Sequence, residues 1–120
     1  MGNYLIRLPW PARPLWQNDR SSRWAKARAT KNAKEYAWAM AREACVATMP
    51  DAILEFSFHP PDERRRDAQN MPATQKAAID GIALAMGCDD NGFRVRWPEQ
   101  FSEPVKGGCV LVHIKPPVVT

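Results

Sequence analysis

No stretch of this chain approaches the roughly 20 consecutive apolar residues of a membrane span, which excludes a helical transmembrane segment. Cysteine is scarce. Cys45, Cys88 and Cys109 are odd in number, widely spaced and without a C-x-x-C pair. That argues against a disulfide framework or a zinc site and suits a reducing cytoplasm. No apolar signal run opens the sequence, which again fits a cytoplasmic protein. Histidine is limited to His59 and His113, both read as solvent-facing strand residues rather than ligands. There are no internal repeats and no low-complexity tracts. Acidic charge is nearly missing between Arg13 and Lys34, where only Asp19 opposes seven basic residues.

What is present describes one domain, residues 1–120, with a modest core. The apolar fraction of 45% and the charged fraction of 25% are ordinary for a globular protein. Net charge is +4, which fits an anionic partner. The seven basic residues are Arg13, Arg20, Arg23, Lys26, Arg28, Lys31 and Lys34, with Trp16 and Trp24 interleaved. A phosphate-tracking surface needs this mixture of cations and aromatics. The alternative is a helix solubilised by lysines, and Trp24 and Trp38 are expected in the core.

The periodicities predict an α+β fold. Tyr4 to Leu8 reads as a strand ended by Pro9, and residues 9–19, with Pro9, Pro11 and Pro14, as an irregular loop. Ser21 or Ser22 caps a long helix reaching about Thr48, with a core stripe of Ala29, Ala33, Tyr36 or Ala37, Met40 and Ala44. Residues 53–59 alternate as a half-buried strand, with Leu54, Phe56 and Phe58 inward. Pro72 suits the first turn of a second helix and Gly87 its stop, with Ala78, Ile79, Ile82 and Met86 buried. Phe93, Val95 and Trp97 mark a third strand. Val110, Val112 and Ile114 mark a fourth, after the Lys106-Gly107-Gly108 turn. The order βαβαββ implies two layers: a mixed four-stranded sheet with two helices on one face.

The chemistry lies in two segments. Asp62-Glu63-Arg64-Arg65-Arg66-Asp67-Ala68-Gln69-Asn70 joins the second strand to the second helix, and Asp89-Asp90 follows that helix. Arginines gather phosphates, whereas carboxylates repel them unless a hard cation lies between. A site with both is a candidate for metal-assisted phosphodiester chemistry. The plainer alternatives are a solvated charged loop for the first segment and a turn for Asp89-Asp90-Asn91-Gly92. Lys76 and Asp80 have the spacing of a helical surface pair. Asp67 and Asp90 flank opposite ends of one helix, so a shared ion requires the chain to fold back, or loops brought together by the sheet or across a dimer.

Several segments, in order over nearly the whole chain, resemble the RusA family of phage and prophage Holliday junction resolvases. They are Leu8-Pro9-Trp10-Pro11, Pro61-Asp62-x-Arg64-Arg65-Arg66-Asp67-x-x-Asn70, Gln75-Lys76-Ala77-Ala78-x-Asp80, Asp89-Asp90, and Pro104-Val105-Lys106-Gly107-Gly108. Asn18-Asp19-Arg20 with Trp24 resembles the variant common in actinobacterial phages. The resemblance implies a homodimeric endonuclease that binds four-way DNA junctions and cuts two strands with magnesium, or manganese in its place. It implies no small-molecule cofactor and no membrane. It assigns catalysis to Asp67, Asp90 and Lys76. The metal falls to Asp67 and Asp90, with Asp89 as the second register and Gln69 and Asn70 as neutral oxygen donors. The arginine run and the basic cluster, not the resemblance, assign DNA contacts to Arg64, Arg65, Arg66, Arg20, Arg23, Lys26, Arg28 and Lys31. This chain departs from the pattern where Gln69 replaces the family's middle aspartate. It also carries three extra residues, about Met71 to Ala73, and two near Asn91-Gly92. The departures make a junction-binding protein that cuts weakly or not at all the rival expectation.

Overall fold

A computed structural model describes residues 2–118. The sheet is built from β1 (Tyr4–Pro9), β2 (Ile53–His59), β3 (Arg94–Arg96) and β4 (Cys109–Lys115), and the helices are α1 (Arg23–Glu43) and α2 (Lys76–Met86). The order βαβαββ and the α+β architecture are as the periodicities predict. In space the strands run β1-β4-β2-β3. β4 is antiparallel to both of its neighbours, and β2 pairs parallel with β3. A parallel pair needs a crossover, and α2 with its flanking turns provides it.

One face of the sheet is apolar. Ile6 and Leu8 of β1, Leu54, Phe56 and Phe58 of β2, and Val110, Val112 and Ile114 of β4 are all buried. They form one cluster with Ala37 of α1 and Ala78, Ile79, Ile82 and Met86 of α2. The opposite face carries Leu5, Arg7, Glu55, His113 and Lys115, exposed or half-buried. Glu55 is held there by Arg96 at 3.0 Å and Lys115 at 2.7 Å. His59 and His113 lie half-buried on that outer side, and the His59 ring nitrogen Nδ1 sits 2.8 Å from the Glu103 carbonyl.

The two helices touch closely because small residues line their contact. Ala37 and Ala41 are the buried positions of α1. Facing them, Gly81 of α2 lies so near that a Cβ would stand 2.2 Å from the Lys34 carbonyl oxygen. No side chain fits there.

Several boundaries differ from the periodicity. Ser22 is the cap of α1, its Oγ accepting from the Ala25 amide at 3.1 Å, while Ser21 bonds Asp19 instead. The helix stops at Glu43, not Thr48, because Cys45 turns left-handed at φ 56° and Val46 N–H bonds back to the Ala41 carbonyl. Of the Tyr36/Ala37 alternatives, Ala37 is inward and Tyr36 exposed. Trp24 and Trp38 are not core: they are 71% and 39% exposed. Each instead lies under a guanidinium, Arg23 over Trp24 at 5.4 Å and Arg42 over Trp38 at 5.7 Å. Tryptophan at a helical spacing reports size, not direction, and alanines occupy the face of α1 that meets α2. Pro72 opens a 3-10 turn, Pro72–Gln75, so α2 begins only at Lys76. β3 is only three residues long; Trp97, beyond it, packs on Phe56 at 4.6 Å between ring centroids.

Gly81→Ala isolates the helix contact. Alanine is the better helix former by about 1 kcal/mol, but its methyl must push back the backbone of α1. Overpacking of this kind costs about 1–3 kcal/mol. The variant is expected to unfold at lower urea concentration than the wild type, with an unchanged slope; equal or higher stability would show that the helices separate freely.

Candidate active site and phosphate-binding loop

His59-Pro60-Pro61 ends β2, since two prolines remove two backbone donors from the ladder. The chain then turns on Asp62. Its Oδ1 accepts from the Arg64 amide at 2.9 Å and pairs with Arg66 Nη2 at 2.8 Å. These two contacts, the amide first, hold the Asp62 carboxyl below its ordinary pKa. Arg66 Nη1 also donates to the carbonyls of Asp62 and Arg64, at 3.1 and 3.0 Å. Its guanidinium lies 5.7 Å over the Trp10 ring. Arg66 is therefore the internal strut of the loop. Arg64 and Arg65 are exposed and form no salt bridge among the described residues. They are the loop's available cations.

Asp67 caps the next 3-10 turn, Ala68–Asn70, with Oδ1 accepting from the Gln69 amide at 2.9 Å. It is exposed and shares a shallow cleft with Arg65 and Arg66. Gln69 and Asn70 are exposed beside it. The turn is anchored by Met71, Thr74 and Gln75, all buried. Thr74 Oγ1 donates to the Met71 carbonyl at 2.6 Å, and Gln75 Nε2 donates to Thr74 Oγ1 at 3.0 Å.

The next residue, Lys76, faces outward. Its ammonium donates to Asp90 Oδ2 at 2.7 Å and to Asp80 Oδ1 at 2.9 Å. The Lys76 pKa is raised by these two carboxylates, Asp90 first, and the Asp90 carboxyl is held below its ordinary range chiefly by Lys76. Asp90 reaches this point because the chain turns back after α2. Gly87 ends the helix in the left-handed region at φ 77°, and Gly92 passes so close to Pro50 that a Cβ would lie 2.3 Å from its carbonyl oxygen. Asp89 serves the turn instead. Its Oδ1 accepts from the Asn91 amide at 2.9 Å and caps the segment Asp90–Gly92.

Of the residues singled out in the sequence, Lys76 and Asp90 are thus brought into contact, with Asp80 as a third member. The Lys76–Asp80 spacing was readable; the arrival of Asp90 was not, because it depends on the turn-back at Gly87 and Gly92. Asp67 lies two short turns upstream with Gln69 and Asn70, and no side-chain hydrogen bond joins it to Lys76, Asp80 or Asp90 among the described residues. No three His, Cys, Asp or Glu side chains converge tightly enough for a metal ion among the described residues. Asp80 and Asp90 do hold a cation already, the Lys76 ammonium, and their hard oxygens are the donor type that magnesium takes. Just before α1, Arg20 is exposed; along α1, Arg23, Arg28 and Lys31 are exposed and Lys26 half-buried. Trp24, Arg28 and Lys31 fall at helical i, i+4 and i+7, on one side. Lys31 stands 4.0 Å from Glu35. No local pattern announces the Arg66–Trp10 contact, which pairs residues far apart in the chain.

No protein-family model matches the chain. No helix among the described residues is long and apolar enough to cross a membrane. The chain is 38% identical over 114 residues to an uncharacterized protein of Xylella fastidiosa, a match that spans 91% of this chain and 74% of the relative. The chain belongs to the same family as that bacterial protein.

Proposed function

We propose that this protein is a metal-dependent, structure-selective endonuclease that cuts four-way DNA junctions as a homodimer. The observation that carries the reading is the meeting of Lys76 with Asp90 and Asp80, two short turns after Asp67, which shares a cleft with the exposed Arg65. The resemblance to RusA resolvases supports it through the same residues. Two-fold symmetric incision of a two-fold symmetric junction needs two copies of the site.

In this reading Arg64 and Arg65 bind the DNA backbone as point contacts to phosphate. Asp90, with Asp67 or Asp80, would hold magnesium through hard oxygen. The ion there would supply Lewis-acid polarisation of the phosphate and a more acidic water. Lys76 is exposed on a long side chain, so it can exchange a carboxylate oxygen for a phosphate oxygen and offset charge that builds on the leaving group. Gln69 in place of a carboxylate favours a second reading, a protein that binds junctions and cuts them weakly. A neutral carbonyl can ligate a cation but adds no charge and no base.

Charge state sets the working pH. The depressed Asp90 pKa makes its contribution complete above the ordinary carboxylate value and lost only as pH falls through the lowered one. The raised Lys76 pKa makes its contribution complete below the ordinary lysine value and lost only as pH rises through the higher one. From about pH 5 to about pH 9 the pair is fully charged and its contribution flat. In Lys76→Met the Asp90 carboxyl is expected to titrate at a higher pH than in the wild type, read by carbon-detected NMR of the side chain. An unchanged titration would mean the contact is not formed in solution.

Cutting and binding are expected to separate. Asp90→Asn and Asp67→Asn should abolish magnesium-dependent cleavage of a synthetic four-way junction while metal-free affinity stays near wild type. Arg64→Ala should weaken binding and make the salt slope shallower by about one unit. Loss of all binding in Asp67→Asn would make that carboxylate structural.

Gln69→Asp tests the second reading. Restoring the missing charge should lower the magnesium needed for half-maximal cleavage by about tenfold, or ~1.4 kcal/mol. A magnesium titration that shows equal or poorer metal dependence would mean that Asp80 or Asn70 already completes the site.

A further inference from the structure

Apart from the acidic and basic side chains, the fold contains a cleft of about 400 Å³ between the proline-rich loop after β1 and the inner edge of α1. Its size is that of a small-ligand pocket. The walls are mostly apolar: Trp10 on one side, Ala29, Ala33 and Tyr36 of α1 on the other. Few polar residues line it, among them Arg28, Asn32, Thr74 and Gln75. Trp10 is braced from behind by Trp16 and Phe101, at 6.2 and 6.4 Å between ring centroids.

Two observations tie this cleft to the phosphate-binding loop and to the candidate lysine. Arg66 spans from the loop to lie over Trp10, the aromatic wall. Gln75 lines the cleft, and the next residue, Lys76, faces outward to Asp80 and Asp90. An apolar cleft lined by Trp10 and Tyr36, with a few polar residues and with Arg28 and Arg66 at hand, suits a nucleotide: base against the aromatics, phosphate outside among cations. We propose that the cleft receives one unpaired nucleobase of the bound DNA. The inference rests on the DNA reading above and adds to it a contact to a base, where Arg64 and Arg65 touch only backbone. Stacking on an aromatic wall is tolerant of sequence because every base has a π-face. A base already displaced from its partner enters without the cost of unpairing, so the pocket selects strands that are locally open.

The test uses two DNA duplexes that differ by one base: a single-nucleotide bulge, and the same bulge with an abasic residue. Charge and backbone are equal, so any difference in affinity belongs to the base. Binding is measured without metal, together with an intact four-way junction and a linear duplex. Wild-type protein is expected to favour the base-containing bulge by about tenfold, the equivalent of ~1.4 kcal/mol. Ala33→Phe fills the slot and should abolish that preference. Asn32→Ala, at an exposed position that leaves the core untouched, should reduce it at least threefold while the melting temperature holds. Equal affinity for the two bulges in the wild type, or a preference that survives both substitutions, overturns the proposal. The junction arm is separate. Strong junction binding without a base preference removes the pocket and leaves the junction reading intact. A base preference without selectivity for the junction over the duplex removes the junction reading and keeps the pocket.

Discussion

The near-contact of α1 and α2 at Gly81 is the constraint from which the other features follow. With no side chain at 81 and alanine at 37, 41, 77 and 78, the helix backbones approach to a distance that larger residues forbid. That approach fixes where α2 begins relative to α1. Gln75 is then directed into the cleft beside Ala29 and Ala33, while Lys76, one residue on, is directed outward. The apolar slot and the charged cluster are two sides of the same helix start. The sheet adds the second coordinate. Because β2 and β3 are parallel, the chain must return along α2 before it can form β3, and the return brings Asp90 to Lys76.

How much of this was legible follows from what each signal measures. The strict alternation of 53–59 and the buried stripe of α2 were readable, since burial on one face leaves a period in the sequence. Trp24 and Trp38 mislead because hydrophobic size is a sign of burial only where the inner face has room for it. On a helix whose inner face touches another backbone, the inner positions must be small and the large residues are left outside, under Arg23 and Arg42. The end of α1 lies earlier than its periodicity because nothing local announces a left-handed cysteine; φ 56° at Cys45 is imposed by the hydrogen bond from Val46 to Ala41. At the candidate site, Lys76 and Asp80 were visible as a helical pair. The choice between Asp89 and Asp90 was not visible, because it depends on which of two adjacent carboxylates caps a turn and which points across to another element.

The loop's three arginines read as equivalent in sequence and are not. Arg66 is fixed by Asp62, by two carbonyls and by Trp10, so its charge is already answered inside the protein. Arg64 and Arg65 have no such partners among the described residues and face solvent. One arginine shapes the loop so that the other two are presented. The carboxylates divide in the same way. Asp62 and Asp89 hold turns, while Asp80 and Asp90 converge on an ammonium.

This division gives the neutral Gln69 a physical meaning. Asp67 stands beside Arg65 and Arg66, and Gln69 adds no second carboxylate there, so an anion meets less repulsion on that side. Asp80 and Asp90 lie apart from Asp67, past Lys76, which supplies one positive charge against two negative ones. In the proposed reading, a backbone phosphate drawn to Arg64 and Arg65 would meet, past one buried turn, a pair of acids that retain net negative charge. Opposite charges separated in this way can hold a phosphate and a cation together, whereas acids and arginines intermixed would neutralise each other. The buried Met71–Thr74–Gln75 segment keeps the two sides apart, and the same segment forms part of the cleft's lining.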